Sequence, residues 1–168
     1  MRFFDTHAHL NDESFDTDRA ALIEGLPSCG AELIMDVACA AEDFEKTLEI
    51  TAEYPFIYGA YGIHPHYASD PGENWEARLR RALCDKKAVC LGEIGLDYHY
   101  DLSEKEDQKK LFNYQLKLAK ELGFPVSLHI REAFGDAMEI LRANKDGLRG
   151  VMHCLLYTSD AADDRISV

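Results

Sequence analysis

Two histidines near the start of the chain, His7 and His9, stand two residues apart directly after the apolar pair Phe3-Phe4. In a β-strand, residues i and i+2 point to the same side, so both imidazoles would aim at one point. Neutral imidazole is the commonest protein ligand for a divalent transition metal. An isolated His-x-His is more often a surface or hydrogen-bonded pair, so the metal interpretation depends on the rest of the chain.

Further residues with metal-binding or acid–base side chains follow apolar, strand-like runs in the same way. They are His64, Glu93, His129 and His153. Imidazoles together with a carboxylate can hold two cations, because a carboxylate has two oxygens and bridges metals roughly 3.5–4 Å apart. Glu93 is the only candidate for such a bridge at the end of a predicted strand, which makes it the catalytic candidate. This set of residues favours metal-assisted hydrolysis.

The elements that must position these residues alternate between strand and helix. Strands are predicted at residues 3–5, 32–37, 56–61, 88–91, 125–130 and 149–153, with helices at 20–26, 41–54, 73–83, 103–122 and 131–144. Such repeats imply parallel pairing with right-handed crossovers, in either an open doubly wound sheet or a (β/α)8 barrel. The barrel is favoured because the polar candidates fall at the carboxyl ends of successive strands. A doubly wound sheet would usually carry a glycine-rich phosphate loop, which the sequence lacks.

Local signals set some of these boundaries. Ser103 with Glu106 forms a capping-box pattern at the start of the fourth helix, and Gly123 stands where that helix should end. The fourth strand is predicted to end at Leu91, so Glu93 is expected in the loop that follows it.

Composition describes one ordinary domain. The chain has 168 residues, of which 46% are hydrophobic, enough for a buried core. No apolar run approaches the roughly 20 residues that span a bilayer, and the first residues lack the pattern of a signal peptide. A cytoplasmic location is therefore expected, with no membrane partner.

Net charge and cysteine content argue against two further classes of protein. These are proteins that bind long duplex nucleic acid through a basic face and proteins built on a disulfide framework or a zinc knuckle. The net charge of −13 argues against binding long duplex nucleic acid through a broad basic face. It does not exclude a phosphodiester held by metal ions, whose charge dominates locally. The five cysteines are widely spaced and form no Cys-x-x-Cys pair, so we expect them to be reduced and mostly buried.

Five ordered motifs of the chain resemble those of the TatD family, metal-dependent hydrolases built on an amidohydrolase-like TIM barrel. The motifs are Asp5-Thr6-His7-Ala8-His9-Leu10, Gly62-Ile63-His64-Pro65-His66, Gly92-Glu93-Ile94-Gly95-Leu96-Asp97-Tyr98, Pro125-Val126-Ser127-Leu128-His129-Ile130-Arg131 and Gly150-Val151-Met152-His153-Cys154. The resemblance covers residues 1–154, which would form about five and a half βα units of an eight-unit barrel.

The resemblance implies a role for each metal-binding candidate. His7 and His9 would bind a first metal, Glu93 would bridge, and His129 and His153 would bind a second. The cofactors implied are two divalent cations of zinc, magnesium or manganese. Bound cations lower the pKa of water towards neutrality and offset the charge of a phosphate in the transition state.

The resemblance also implies a substrate. Family members are commonly deoxyribonucleases that trim DNA from the 3′ end, so DNA ends or single strands are the expected partner, with no obligate protein partner. Two alternatives stay open from the sequence. One is a hydrolase of amides, lactones or phosphate esters on the same barrel, and the other is an inactive fragment that binds metal weakly.

Several neighbouring residues keep two interpretations each. His64 is expected to contact substrate phosphate, or else to cap a turn between glycine and proline. Arg131 would clamp phosphate or form a salt bridge at a helix start. Asp5 would orient an imidazole or be a hydrogen-bonded strand carboxylate. Asp97 would shape the barrel mouth or hold its loop, and His66 would pack or face solvent.

The last residues depart from the family pattern. Residues 155–168 match neither the expected turn nor two further βα units, and we interpret them as an irregular, non-family tail. The resemblance places one more metal ligand, an aspartate, at the end of an eighth strand. The chain as given is therefore expected to form an incomplete barrel with little activity of its own.

Overall fold

A computed structural model gives the fold and describes residues 2–153. Over this range, parallel strands alternate with α-helices. The strands are β1 (Phe3–Ala8), β2 (Ala31–Ala38), β3 (Ile57–Tyr61), β4 (Ala88–Asp97), β5 (Val126–Arg131) and β6 (Gly150–His153). The helices are α1 (Arg19–Gly25), α2 (Phe44–Glu53), α3 (Trp75–Leu83), α4 (Lys105–Leu122) and α5 (Phe134–Asn144). The predicted order of elements is confirmed.

The strands form one sheet in the order β1-β2-β3-β4-β5-β6, and every neighbouring pair is parallel. A doubly wound sheet reverses its strand order at a switch point. Here each strand pairs with the next one along the chain, as in the wall of a (β/α)8 barrel. The described residues therefore form an incomplete barrel of the predicted type.

Side-chain alternation along β4 separates the core from the site. Ile94 and Leu96 are fully buried and belong to the same cluster as Phe112 and Leu116 of α4. Successive strand residues point to opposite faces, which places Glu93 on the other face of the sheet. Burial of the apolar side chains against the helices thus fixes the direction in which the carboxylate points.

The predicted end of the fourth strand is wrong. β4 continues to Asp97, so Glu93 lies within the strand and not in a loop after it. Gly92 and Gly95 have φ angles of +145° and +149°, a region that side-chain-bearing residues rarely adopt. These two glycines look like loop residues in the sequence, but they let β4 keep pairing closely with β5.

The predicted capping box is also wrong. α4 begins at Lys105, and its N-cap residue is Glu104. The Ser103 hydroxyl instead donates a hydrogen bond to the His66 carbonyl oxygen at 2.7 Å, so a tertiary contact replaces the local one. The other end of the helix is as predicted, because Gly123 is the C-cap in the left-handed conformation with φ of +77°.

The cysteines are free within the described range, but the prediction that most are buried is wrong. Cys29 and Cys84 are exposed, Cys39 is half-buried and Cys90 is buried. The fifth, Cys154, and the predicted irregular tail of residues 155–168 lie outside the described residues. No helix within residues 2–153 has the length and apolarity needed to cross a bilayer.

Candidate metal centre

Glu93 lies at the centre of the site, 4% exposed, and its two carboxylate oxygens face different groups. Oε1 lies 2.7 Å from His129 Nδ1 and 2.6 Å from His153 Nε2. Oε2 lies 3.3 Å from His7 Nε2 and 3.9 Å from His9 Nε2. The structure therefore gathers the four predicted histidine ligands around the fifth predicted ligand, the Glu93 carboxylate.

Strand register and sheet curvature bring these residues together. His129 of β5 is the direct partner of His153 of β6, and Gly95 of β4 is the partner of His129. His7 comes from β1, at the opposite edge of the sheet, yet its ring stacks on that of His153 with centroids 3.7 Å apart. The carboxyl ends of the first and sixth strands converge because the sheet is curled.

Backbone and carboxylate partners fix the orientation of two of the imidazoles. His9 Nδ1 lies 2.9 Å from the Val37 carbonyl oxygen. A carbonyl only accepts, so this nitrogen carries the proton and Nε2 presents a lone pair towards Glu93. His129 Nε2 lies 3.0 Å from Asp97 Oδ2, which leaves Nδ1 for the Glu93 side. Such outer partners typically set the tautomer of metal-ligating histidines.

The His7 ring tests whether a cation fits here. Both of its nitrogens are buried and have no hydrogen-bond partner among the described residues. Nε2 approaches Glu93 at 3.3 Å without hydrogen-bond geometry. Buried polar atoms normally have a hydrogen-bond partner, so an unpaired one indicates a position where an ion or another ligand can bind. The unpaired nitrogens and the neighbouring carboxylate are a donor set that fits a divalent transition metal.

The protein's own groups make Glu93 strongly acidic. Burial by itself would raise the pKa of Glu93, but hydrogen bonds with His129 and His153, together with the nearby His7 imidazole, outweigh it and hold that pKa far below its usual range. Burial likewise opposes protonation of His129, while Glu93 and Asp97 more than compensate and raise the His129 pKa. The centre thus keeps one ionised carboxylate among the imidazoles, the charge state that binding a cation requires.

Asp97 is a site residue that the sequence analysis placed only at the barrel mouth or in its loop. It is fully buried, and its Oδ2 lies 3.0 Å from His129 Nε2 and 2.9 Å from His66 Nε2. Burial raises its pKa, but hydrogen bonds from the Tyr100 backbone and from the two imidazoles lower it to about 2. The expectation that His66 packs or faces solvent is therefore incomplete, because His66 is paired with Asp97.

His64 caps its turn, as one of its two sequence interpretations predicts, and its contact with substrate phosphate stays a prediction. Its Nδ1 accepts a hydrogen bond from the His66 backbone N–H at 3.2 Å and so caps the turn at Pro65–Tyr67. Its Nε2 lies 3.8 Å from Glu93 Oε1. Burial lowers the pKa of His64 to about 3, so the ring is neutral at pH 7. With Nδ1 as an acceptor, Nε2 carries the proton and faces the site as a donor.

Two remaining candidates, Arg131 and Asp5, contact other residues of the described range. Arg131, the last residue of β5, places its guanidinium carbon 4.6 Å from the centre of the Tyr100 ring. Asp5 Oδ1 accepts a hydrogen bond from the His7 backbone N–H at 3.0 Å. This contact holds the His7 backbone, so the prediction that Asp5 orients an imidazole is replaced by a local backbone contact.

Asp36 holds the backbone that follows the His-x-His pair, and no motif of the sequence indicated this role. This buried carboxylate of β2 accepts hydrogen bonds at Oδ1 from the backbone N–H groups of Leu10 and Asn11, at 2.6 and 3.2 Å, and at Oδ2 from the Thr47 hydroxyl at 2.9 Å. Leu10 and Asn11 directly follow His9. Asp36 therefore holds the segment that positions the His-x-His pair.

We expect Asp36→Ala to destabilise the fold by at least about 2–3 kcal/mol, because it leaves several buried donors unsatisfied. Asp36→Asn should cost less than about 1 kcal/mol, since the amide oxygen still accepts from Leu10 and the amide nitrogen can donate to Thr47. Burial raises the pKa of Asp36 above 3.8. Urea denaturation of the three proteins measures the difference.

The raised pKa of Asp36 determines how the stability of the wild type, relative to Asp36→Asn, changes with pH. The folded state binds the Asp36 proton more tightly than the unfolded state, so the wild type loses stability relative to the Asn variant as pH rises from 3.8 through the raised pKa. An Asn variant as unstable as the Ala variant, or a stability difference that runs the other way with pH, would contradict this account of Asp36.

The centre lies at the bottom of an open cleft of about 770 Å³. The side of the cleft formed by the segments after β1 and β2 is acidic. Its charged residues are Asp12, Glu13, Asp16, Glu42, Asp43 and Lys46. The described rim therefore carries mostly negative charge around a site suited to cations.

The comparison with a protein-family model decides the family. The model described as "TatD related DNase" matches residues 4–167. The chain belongs to this TatD family. The resemblance seen in the motifs is thereby confirmed.

Individual relatives agree with the family match. The chain is 39% identical over 160 residues to a protein of Bacillus subtilis named "Uncharacterized metal-dependent hydrolase YabD", covering 95% of the chain and 63% of that relative. It is 32% identical over 165 residues to a Cronobacter sakazakii protein named "3'-5' ssDNA/RNA exonuclease TatD", covering 98% of the chain and 63% of the relative. The chain thus spans less than two thirds of these TatD relatives.

Solved structures share the fold. The TatD homologue YJJV of Escherichia coli superposes with a TM-score of 0.85 at 31% identity, over 98% of this chain and 63% of that one. A TatD family hydrolase of Entamoeba histolytica gives a TM-score of 0.83 at 24% identity, over 92% of this chain and 58% of that one, a likeness of fold alone. The fold is accordingly that of the TatD-type TIM barrel, of which the described residues form six strands.

Proposed function

We propose that this TatD protein is a metal-dependent phosphodiesterase that removes nucleotides from the 3′ end of single-stranded nucleic acid with two divalent cations. The observation that carries the proposal is the arrangement around Glu93, whose two oxygens face two separate sets of donors. A bridging carboxylate of this kind is the usual feature of two-metal hydrolytic sites. Similarity to relatives named as exonucleases supports the substrate class.

The two sets of imidazoles around Glu93 support an assignment of ligands to each of the two proposed ions. His7 and His9 would hold one ion with Glu93 Oε2, and His129 and His153 would hold the other with Glu93 Oε1. Bound cations supply a water molecule activated near neutral pH and positive charge against the phosphate oxygens. Zinc, manganese and magnesium are all compatible with imidazole and carboxylate donors to different degrees.

The chain's own residues do the positioning. Asp97 orients the His129 ring through Nε2, and the Val37 carbonyl orients the His9 ring through Nδ1. His64 presents its Nε2–H towards the same space and would donate a hydrogen bond to a phosphate oxygen. Arg131 would contribute a second phosphate contact from the end of β5.

The acidic rim selects the form of the substrate. Proteins that hold long duplexes do so by neutralising many phosphates with lysine and arginine. Here the described rim is mostly carboxylate and the net charge is −13, so binding energy must come from contacts at the metal centre. A free strand end reaches the bottom of such a cleft more readily than the interior of a duplex.

We expect nucleotides to be released from the 3′ end of a single-stranded oligonucleotide, and closed circular duplex DNA to be cut at least about tenfold more slowly, because the rim offers few phosphate contacts. Oligonucleotides labelled at the 5′ end resolve the direction of cleavage by gel. Because the relatives are longer, the 168-residue chain is assayed beside a chimera that adds the C-terminal region of the B. subtilis relative. Equal rates on the circle and the single strand, or release that chelator leaves unchanged, would refute the proposal.

In the chimera completed with the C-terminal region of the B. subtilis relative, we expect His7→Ala and His9→Ala each to lower bound metal by about one equivalent per chain, since each removes a ligand from the same half of the centre. Elemental analysis after dialysis measures it. His99→Ala is the matched control, because that ring is paired with Glu132 at 2.8 Å and should keep its full metal content. Unchanged metal in both site variants would show that the pair is not a metal ligand.

A further inference from the structure

Cys39 stands beside the proposed metal centre, although none of the five family-like motifs includes it. It directly follows Ala38, the last residue of β2, and its Sγ lies 3.4 Å from Glu93 Oε2 and 3.9 Å from the His9 ring at Nδ1. From the sequence, Cys39 is expected only to be one of five reduced and mostly buried cysteines. Its position instead adds a sulfur donor to the half of the centre formed by His7, His9 and Glu93 Oε2, here called the Oε2 half.

The distances from Glu93 Oε2 to His7 and to Cys39 are those of a tetrahedral coordination shell, and His9 lies slightly outside that range. With metal–sulfur bonds of about 2.3 Å and metal–nitrogen or metal–oxygen bonds of about 2.0–2.2 Å, neighbouring corners of a tetrahedron are roughly 3.3–3.7 Å apart. Glu93 Oε2 lies 3.3 Å from His7 Nε2, 3.4 Å from Cys39 Sγ and 3.9 Å from His9 Nε2. The sulfur therefore lies between the two imidazoles in its distance from the carboxylate oxygen.

We propose that Cys39 is a ligand of the metal ion bound with His7, His9 and Glu93 Oε2, and that its sulfur makes this half of the centre prefer thiophilic ions. The inference rests on the proposed function, because it requires a metal ion at this position. On coordination the thiol releases one proton to solvent and the thiolate binds, with no change in oxidation state. Thiolate selects zinc and cadmium over magnesium and manganese.

The two halves of the centre differ in a way that fits this assignment. The Oε1 half has imidazole neighbours from His129, His153 and His64. Sulfur is present only in the Oε2 half, within the part of the chain that the structure describes. One half should accordingly discriminate between soft and hard ions more strongly than the other.

Cobalt substitution tests the sulfur ligand directly. The metal-free protein is titrated with Co²⁺, and we expect a thiolate-to-cobalt charge-transfer band in the near ultraviolet that Cys39→Ser abolishes. Cys84→Ser is the matched control, since Cys84 is exposed and outside the site, and it should keep the band. Cys154→Ser is included because Cys154 follows His153 in the sequence, and it should keep the band too.

Ion selectivity gives a second measurement that a purely structural cysteine would not change. Competition titrations should show Cys39→Ser weakening Cd²⁺ binding by about tenfold or more, the loss typical of even an outer-shell partner. Mn²⁺ affinity should change by less than about twofold, because manganese gains little from sulfur. Equal weakening of both ions would mean that Cys39 only supports the fold, and the inference would be wrong.

The outcomes separate this inference from the proposed function. A wild type that binds Co²⁺ without the band, a band that survives in Cys39→Ser, or one lost in Cys154→Ser would each overturn the inference and leave the metal centre standing. A wild type that binds no Co²⁺, Cd²⁺ or Mn²⁺ would overturn the metal centre of the proposed function, and the role of Cys39 with it.

Discussion

Glu93→Gln is expected to abolish retention of both proposed metal ions and to lower hydrolysis by a factor of about 10³, the upper range for loss of one electrostatic group in an active site. The amide keeps the shape of the side chain, and its oxygen can still accept from His129 or His153. What disappears is the negative charge that both sets of donors face. His7→Ala, in contrast, removes a ligand from one half only.

The measurement pairs metal content with catalysis. Elemental analysis and the chelator-sensitive oligonucleotide assay are applied to the wild type, to Glu93→Gln and to Glu49→Gln, an exposed carboxylate on α2 whose ion pair with Lys46 is at the surface. Glu49→Gln should match the wild type in both. Near-normal hydrolysis by Glu93→Gln would show that the two-metal mechanism is wrong, and normal metal content would show that Glu93 is not the bridge.

The low pKa of Glu93 restricts its contribution to pH dependence to acid conditions. Burial would raise its pKa, but hydrogen bonds with His129 and His153 and the nearby His7 imidazole hold it far below the usual range. A carboxylate with a depressed folded pKa stabilises the fold above its unfolded pKa of 4.5, and the stabilisation is lost as pH falls below that value. Loss of metal near neutral pH would therefore not reflect protonation of Glu93.

Periodicity and motif order predicted the fold and the residue types of the centre, because these depend on local pattern. Apolar runs ending in His7, His129 and His153 place each imidazole at a strand end, and parallel strands gather those ends. The curvature that stacks His7 on His153 is not visible in the sequence, since it is a property of the whole sheet.

Contacts between side chains of distant segments could not be predicted either, because they too depend on how the whole sheet is assembled. Cys39 meets Glu93 over 54 positions of sequence, and His66 meets Asp97 over 31. Residue spacing reports only which face of one element a side chain occupies, and it says nothing about register between elements. Asp97 could have been found as the residue four positions after Glu93 on one strand face, had the strand been extended through Gly95.

Residues Gly92 and Gly95 show why the strand was predicted too short. A glycine inside an apolar run normally marks a turn or a bulge. At position 95 it marks close approach, because a Cβ there would lie 2.0 Å from the His129 carbonyl oxygen. The backbone has a φ of +149° at this position, which disfavours any other residue as well.

Gly95→Ala is therefore expected to destabilise the protein by about 2–6 kcal/mol, combining backbone strain with overpacking against a neighbouring strand. For a chain of this size that corresponds to a fall of roughly 5–20 °C in Tm. The obstructing atom belongs to the backbone of β5, so it cannot rotate away as a flexible side chain would. Because His129 is the residue displaced, metal affinity should fall together with stability.

The matched control is Gly135→Ala in the first turn of α5, where an added Cβ meets no atom within 4 Å. This change should leave stability unaltered or raise it by up to about 0.5–1 kcal/mol, because alanine loses less backbone entropy than glycine in a helix. Thermal unfolding followed by circular dichroism, with metal content measured in parallel, compares the two variants with the wild type. If Gly95→Ala unfolded at the wild-type temperature, β4 and β5 could not pair as closely as the structure shows, and the position of Glu93 beside His129 would need another explanation.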